Sequence, residues 1–303
     1  MNFLESITSK EIRDRFNEVL DTRPDGRIVS YILAPDKTAE WLHSVGPGYD
    51  DTMRSLLPAI PPPNLRSIVA APEEEIFLWT GANDISYFLG VLEHYASPDL
   101  AVPRRILDFG CGCGRLTRYL GLSDRYRATG TDINQDHVDW CAANLPRVTT
   151  LRNKAVPPLP LADNSIDFAY SLSVFSHLPE RAALAWLADL ARVLAPGGLL
   201  IITTHGLNAL QVIRPSKIHH AMFGMDEAAV DVMSNRLATE RLVFVPYSAE
   251  VVDAAKAGDE YGNTFISMDK ADSLWSDLFE TVYSKSGGLR GWQDVFVLRR
   301  RHS

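Results

Sequence analysis

The sequence predicts an α/β fold: a doubly wound sheet, mostly parallel with an antiparallel last strand, plus an N-terminal helical cap and an α+β insertion after the fifth strand. Three observations predict it. Residues 106–116 read Ile-Leu-Asp-Phe-Gly-Cys-Gly-Cys-Gly-Arg-Leu, an apolar run that ends in three alternating glycines and an amphipathic segment. From Arg104 to His205, strand-like and helix-like segments alternate, as they do where helices cover both faces of a parallel sheet. Near the C-terminus two apolar runs flank Ser286-Gly287-Gly288, which suits an antiparallel pair.

Taken in order, the core strands are expected at 105–109, 126–131, 148–151, 166–171 and 198–204, with helices at 114–121, 134–144 and 180–194. Pro196-Gly197-Gly198 reads as the turn before the fifth strand. Residues 1–103 read as a mainly helical cap. Ile7–Leu20 has helical periodicity, Ile28–Leu33 is a short element, Pro58–Pro63 is a proline spacer, and Glu73–Tyr95 is helical but broken at Gly81 and Gly90. Residues 104–206 form the core. Residues 207–268 form an insertion over the active face, with a helix at Asp226–Leu237 and strands at Leu242–Val245 and Thr264–Met268. Residues 269–303 add a short helix at Ala271–Ser276 and strands at Leu278–Tyr283 and Asp294–Arg299.

Composition bounds the function. A net charge of −8 disfavours a nucleic-acid partner, because phosphate binding draws on Lys and Arg. Arg299-Arg300-Arg301 is the main basic cluster and reads as a solvated tail. Cys111, Cys113 and Cys141 are too few for a disulfide framework and too closely spaced for a zinc site, so a reduced, cytoplasmic protein is expected. The N-terminus lacks a signal-peptide pattern, and no apolar run approaches the ~20 residues of a membrane span.

The glycine spacing chooses between nucleotide ligands. A dinucleotide fingerprint requires G-x-G-x-x-G. Counted from Gly110, its third glycine falls on Arg115; counted from Gly112, it falls on Thr117. What stands here, D-x-G-x-G-x-G, resembles motif I of the class I S-adenosylmethionine-dependent methyltransferases. Asp132 closes the second strand, 22 positions after Gly110. A carboxylate there can accept from both ribose hydroxyls of an adenosine. Its other reading is a helix N-cap, but Asn134 already offers that cap. Asn164-Ser165-Ile166-Asp167-Phe168-Ala169-Tyr170-Ser171 is similar to the family's fourth-strand motif, with Asp167 holding the strand's entry. Leu194-Ala195-Pro196-Gly197-Gly198 resembles its L-x-P-G-G turn. The resemblance covers 104–206 well and 278–300 in part.

The resemblance implies a Rossmann-like core, S-adenosylmethionine as cofactor and S-adenosylhomocysteine as product. It implies donor contacts at Asp108, Gly110, Cys111, Gly112, Gly114, Asp132, Ile133 and Ser171. The adenine contact is displaced from the usual acidic residue to Asn153. Trp79 and Gly81 read as part of a lid over the donor, with core packing as the alternative.

Methyl transfer from a sulfonium is an in-line displacement, so alignment supplies much of the rate. A hydroxyl acceptor gains further from a general base. His177 and His205 follow the fourth and fifth strands, and Tyr261 lies in the insertion; these three are the catalytic candidates. Each has a bland alternative, as a backbone bridge or a packing residue. His219-His220, with Arg214 and Lys217, could contact an anionic substrate; no metal site is expected.

The expected activity is methylation of a small molecule, most simply O-methylation of a sugar or secondary metabolite. C- or N-methylation of a terpenoid or other metabolite is the alternative. A macromolecule methyltransferase ranks below both, since the N/D-P-P-Y/F motif of base-amino methylation is replaced here by Ser171-Leu172-Ser173-Val174, and a non-catalytic donor binder ranks below both as well. The expected partner is a small-molecule acceptor, with neither nucleic acid nor membrane, in a monomer or homodimer.

Overall fold

The computed structural model describes residues 58–70, 72–96, 103–248 and 261–302. The expected elements at Ile7–Leu20 and Ile28–Leu33 lie outside them. The chain is α/β, with a seven-stranded, mostly parallel main sheet and a separate two-stranded sheet. It divides into two compact units, residues 1–152 and 153–303.

In the first unit, α1 (Pro63–Val69) and α2 (Glu74–Tyr95) precede the strands β1 (Arg104–Phe109), β2 (Tyr126–Asp132) and β3 (Val148–Arg152). The strands run parallel in the order β3-β2-β1, with Asp108 opposite Gly130 and Asp132 opposite Arg152. Between them lie α3 (Thr117–Leu120) and α4 (Gln135–Asn144). Asn134 caps α4, its side-chain oxygen accepting from the Asp136 amide at 3.0 Å. The helix after the glycines is shorter than the 114–121 expected, because turn geometry persists through Leu116. Gly81 and Gly90 do not break α2, which runs unbroken for 22 residues. Gly81 is where α2 meets the backbone of Arg115.

In the second unit, β4 (Ile166–Ser171), α5 (Glu180–Val193) and β5 (Leu194–Thr204) form a parallel β-α-β step. Helix α5 is strongly amphipathic, burying Ala183, Trp186, Leu187, Leu190 and Val193 at helical spacing. After β5 come α6 (Leu207–Ile213), α7 (Lys217–Phe223) and α8 (Glu227–Thr239). The first two helices were not legible as such in the sequence. Strands β6 (Leu242–Pro246) and β7 (Gly262–Ile266) form the small antiparallel sheet, and Ala271–Leu274 is a 3₁₀ turn. Strands β8 (Phe279–Leu289) and β9 (Gln293–Arg300) complete the order β4-β5-β9-β8, with β9 antiparallel to both neighbours.

Two expected turns lie inside strands. Pro196-Gly197-Gly198 sits within β5, where the register against β4 jumps from Ile166–Leu194 to Phe168–Leu199. Gly197 takes φ +74°, so the extra residues bulge out and the strand continues. Ser286-Gly287-Gly288 likewise lies within β8, at its register shift against β9. The reversal is made by Arg290 and Gly291, both at positive φ. Arg299 and Arg300 belong to β9 and are not a free tail. Among the described residues no helix is long and apolar enough to cross a membrane.

Candidate functional site

The glycine loop is built by backbone clamps. The amides of Gly110 and Cys111 both donate to the carbonyl of Thr131, at 2.8 and 2.9 Å. Asp108, 3% exposed, accepts from the Thr117 hydroxyl. Asp132 closes the loop from the next strand: its Oδ2 accepts from the Gly112 amide at 2.7 Å and its Oδ1 from the Asn134 amide at 2.8 Å. Gly112 and Gly114 hold φ +54° and +77°, a region that penalises a side chain. A Cβ on Gly112 would also overlap Val69, and one on Gly114 would stand 2.6 Å from Leu145. Ile133 offers its carbonyl to Arg152 at 3.2 Å.

The loop's cysteines, Cys111 and Cys113, are both buried. Cys111 is held well above its ordinary pKa, first by a hydrogen bond with Cys141 and then by burial. Burial pushes Cys113 up to about 12. Thiolates are the reactive form, so neither is poised for redox chemistry.

Residues 58–95 are fastened to this loop. Arg115, directly after the glycines, pairs with Asp84 of α2 at 2.7 Å, with side chains 7% and 0% exposed. Arg118 donates to the carbonyls of Pro58 and Ala59, and its guanidinium lies 5.8 Å from the centre of the Phe77 ring. The Tyr119 hydroxyl donates to Leu78 O at 2.9 Å. Gly81 lies against Arg115, which accounts for the glycine by packing alone. Trp79 lies in α2, and its side chain is outside the described part.

The loop fits an adenosyl group. Asp132 gives one lone pair on each oxygen to the backbone and keeps the other. His137 Nδ1 lies 3.7 Å from Asp132 Oδ1, and among the described residues neither its ring nitrogens nor the buried Thr131 hydroxyl has a hydrogen-bond partner. Polar atoms buried in this way are normally satisfied by a ligand or water.

In the second unit the sequence candidates come together. His177 Nδ1 lies 2.9 Å from the carbonyl of Gly262. A carbonyl only accepts, so Nδ1 carries the proton and Nε2 keeps a free lone pair. The Tyr261 ring lies 4.7 Å from His177, and the Tyr247 ring 6.0 Å. Tyr247 donates to Asn263 at 2.6 Å, and Asn263 donates to Phe223 O at 3.0 Å. Tyr247 and Asn263 carried no motif in the sequence. His205, 4% exposed, is packed among Phe223, Phe265 and Trp292. Gln293, which donates to Ser173, lies 3.4 Å from the His205 Nε2, and the His205 Nδ1 is buried with no hydrogen-bond partner among the described residues.

Electrostatics separates the two histidines. Desolvation lowers His177, opposed by its bond to Gly262. Burial, reinforced by His177, drives His205 down to about 3. A base works best with a pKa near the working pH, so His205 is the weaker base. Ser171 Oγ and Asn153 Oδ1 are both buried with no hydrogen-bond partner among the described residues, while Asn153 Nδ2 donates to Lys154 O at 2.8 Å. At the anion contact considered above, Arg214 pairs with Glu227 and Asp231, and His219 stacks on Trp292 at 5.0 Å.

Parts of the chain are similar to known proteins. Residues 107–202 match a family model described as a methyltransferase domain. The chain is 30% identical over 99 residues to 2-methyl-6-phytyl-1,4-hydroquinone methyltransferase of Synechocystis sp., covering 32% of this chain and 30% of that protein. It is 30% identical over 210 residues to 24-methylenesterol C-methyltransferase 2 of Arabidopsis thaliana, covering 65% and 51%. A solved S-adenosylmethionine-dependent methyltransferase of Methanosarcina mazei is similar at TM-score 0.48 and 19% identity, over 70% of this chain and 98% of that one. The matches span 30–40% of the length of the first curated relatives. The segment from Leu107 to Ile202 is a methyltransferase domain.

Proposed function

We propose that this chain transfers a methyl group from S-adenosylmethionine to a hydroxyl of a small-molecule metabolite. One observation supports the reading above the rest. Within the segment that matches a methyltransferase domain, Asp132 fixes the Gly112 amide and keeps lone pairs for ribose hydroxyls. Bound there, the donor supplies an electrophilic methyl group on its sulfonium. The chain's own part is to bind, align and move a proton. Gly110, Gly112 and Gly114 keep the backbone bare, while Asp108 and Thr131 fix the loop from behind.

His177 is the proposed base. Gly262 fixes its tautomer, so Nε2 is the atom that takes the acceptor's proton. Tyr247 and Asn263 hold the surrounding cluster in place. The free lone pair at Nε2 favours oxygen as the methylated atom. The relatives' names span both O- and C-methyltransferases, so product analysis decides the atom. The chain's net charge of −8 favours a small acceptor over nucleic acid, and three buried free cysteines suit the cytoplasm.

The test is calorimetry with S-adenosylhomocysteine and with NAD, followed by transfer of labelled methyl to a metabolite extract. Binding of S-adenosylhomocysteine alone, with a labelled ether product, is expected. Binding of NAD alone, or donor binding with no labelled product, would end this reading.

A further inference from the structure

We infer that His137 is a donor-binding residue: its imidazole hydrogen-bonds a ribose hydroxyl of the adenosyl group that Asp132 also holds. The inference rests on the donor occupying the glycine loop, as proposed above, and adds a residue that no motif assigns.

His137 occupies the first turn of α4, five positions after Asp132. Its side chain is 3% exposed, and neither Nδ1 nor Nε2 has a hydrogen-bond partner among the described residues. A neutral imidazole carries one donor and one acceptor, and burying both unmet is costly. Such an arrangement persists where a ligand or an ordered water completes it. Nδ1 lies 3.7 Å from Asp132 Oδ1, too far for a direct hydrogen bond. A third group placed to one side of the pair, such as a hydroxyl, would contact both atoms.

The chemistry of that third group follows from its neighbours. Asp132 Oδ1 and Oδ2 already accept the amides of Asn134 and Gly112, and what each retains is acceptor capacity. The group that completes the set must therefore donate to a carboxylate and also hydrogen-bond an imidazole. A hydroxyl does both, with one proton to give and lone pairs to receive. The imidazole also borders the loop itself, 3.9 Å from where a Gly112 Cβ would stand. An adenosine ribose brings two adjacent hydroxyls to a carboxylate of this kind.

The test is calorimetry with S-adenosylhomocysteine and its 2′-deoxy and 3′-deoxy forms, on the wild-type chain, His137→Leu and His137→Gln. His137→Leu is expected to weaken S-adenosylhomocysteine at least tenfold. In that variant the penalty for removing one of the two hydroxyls should shrink at least threefold. His137→Gln, which can still hydrogen-bond, should lie between, and it carries the test if the leucine variant does not fold. A second readout needs no ligand. The ligand-free leucine variant should melt no lower than wild type, since it removes two unmet polar atoms. Affinity within tenfold of wild type, or an unchanged hydroxyl penalty, overturns the role of His137 and leaves the proposed function standing. A wild-type chain that does not bind S-adenosylhomocysteine overturns both.

Discussion

Gly81, in the middle of α2, lies directly on the main chain of Arg115: a Cβ at Gly81 would overlap the Arg115 carbonyl oxygen and stand 3.1 Å from its Cγ. Backbone cannot swing aside as a flexible side chain can. Gly81→Ala is therefore expected to destabilise the protein by about 1–2 kcal/mol. Overpacking costs roughly 1–3 kcal/mol, and alanine's better helix propensity returns up to about 1. Thermal unfolding checks it. An alanine variant that melts at or above wild type would show that the helix is free to back away.

Asp84 and Arg115 form a buried pair across the same junction. Removing one member of such a pair leaves an uncompensated charge, which costs about 3–5 kcal/mol. Asp84→Ala should lose stability on that scale in a urea titration. The double variant Asp84→Ala, Arg115→Met should recover much of the loss, because it removes the stranded guanidinium as well. A double variant as unstable as the single one would place the cost in packing.

Asp132 serves two roles at once, holding the Gly112 and Asn134 amides and offering its remaining lone pairs. Asp132→Ala removes a charge-assisted acceptor, a loss of about 1.5–3 kcal/mol in donor binding. By calorimetry with S-adenosylhomocysteine this is a weakening of roughly tenfold or more. Unchanged affinity would remove Asp132 from the donor site.

Much of this architecture can be read from residues 104–206, because its signals are local. An apolar strand, alternating glycines and a carboxylate at the next strand's end are all short-range features, and β1, β2 and β4 fall within a residue of their expected bounds. Asn134 declared itself as a cap through residue type and position. What stayed hidden depends on tertiary contact. Asp84 and Arg115 are 31 residues apart, and nothing in either segment marks its partner. Gly81 read as a helix breaker because propensity penalises glycine, whereas packing against Arg115 demands it. The Pro196-Gly197-Gly198 and Ser286-Gly287-Gly288 runs read as turns for the same local reason, yet strand pairing on either side absorbs both as bulges. At the site, His177 and Tyr261 could be listed from sequence, but their 4.7 Å approach depends on β7 running beside residues 176–178. His137, with no motif around it, emerges only once its burial is seen.

His205 links stability to pH. Burial and the neighbouring His177 lower it to about 3 in the folded state, against an ordinary value of 6.5. The unfolded chain therefore binds a proton between those values that the folded chain refuses. With more protons bound in the unfolded state, stability rises with pH across the window and is lost as pH falls from about 6.5 toward 3. His177 is lowered as well and adds in the same direction. One such group contributes a slope of up to about 1.4 kcal/mol per pH unit. Urea unfolding at intervals from pH 7 to pH 4 should show this decline. In His205→Phe, which keeps an apolar ring among Phe223, Phe265 and Trp292, the slope should be shallower by about one proton. An unchanged slope in that variant would mean that His205 titrates alike in both states. Its packing would then be looser than the ring contacts indicate.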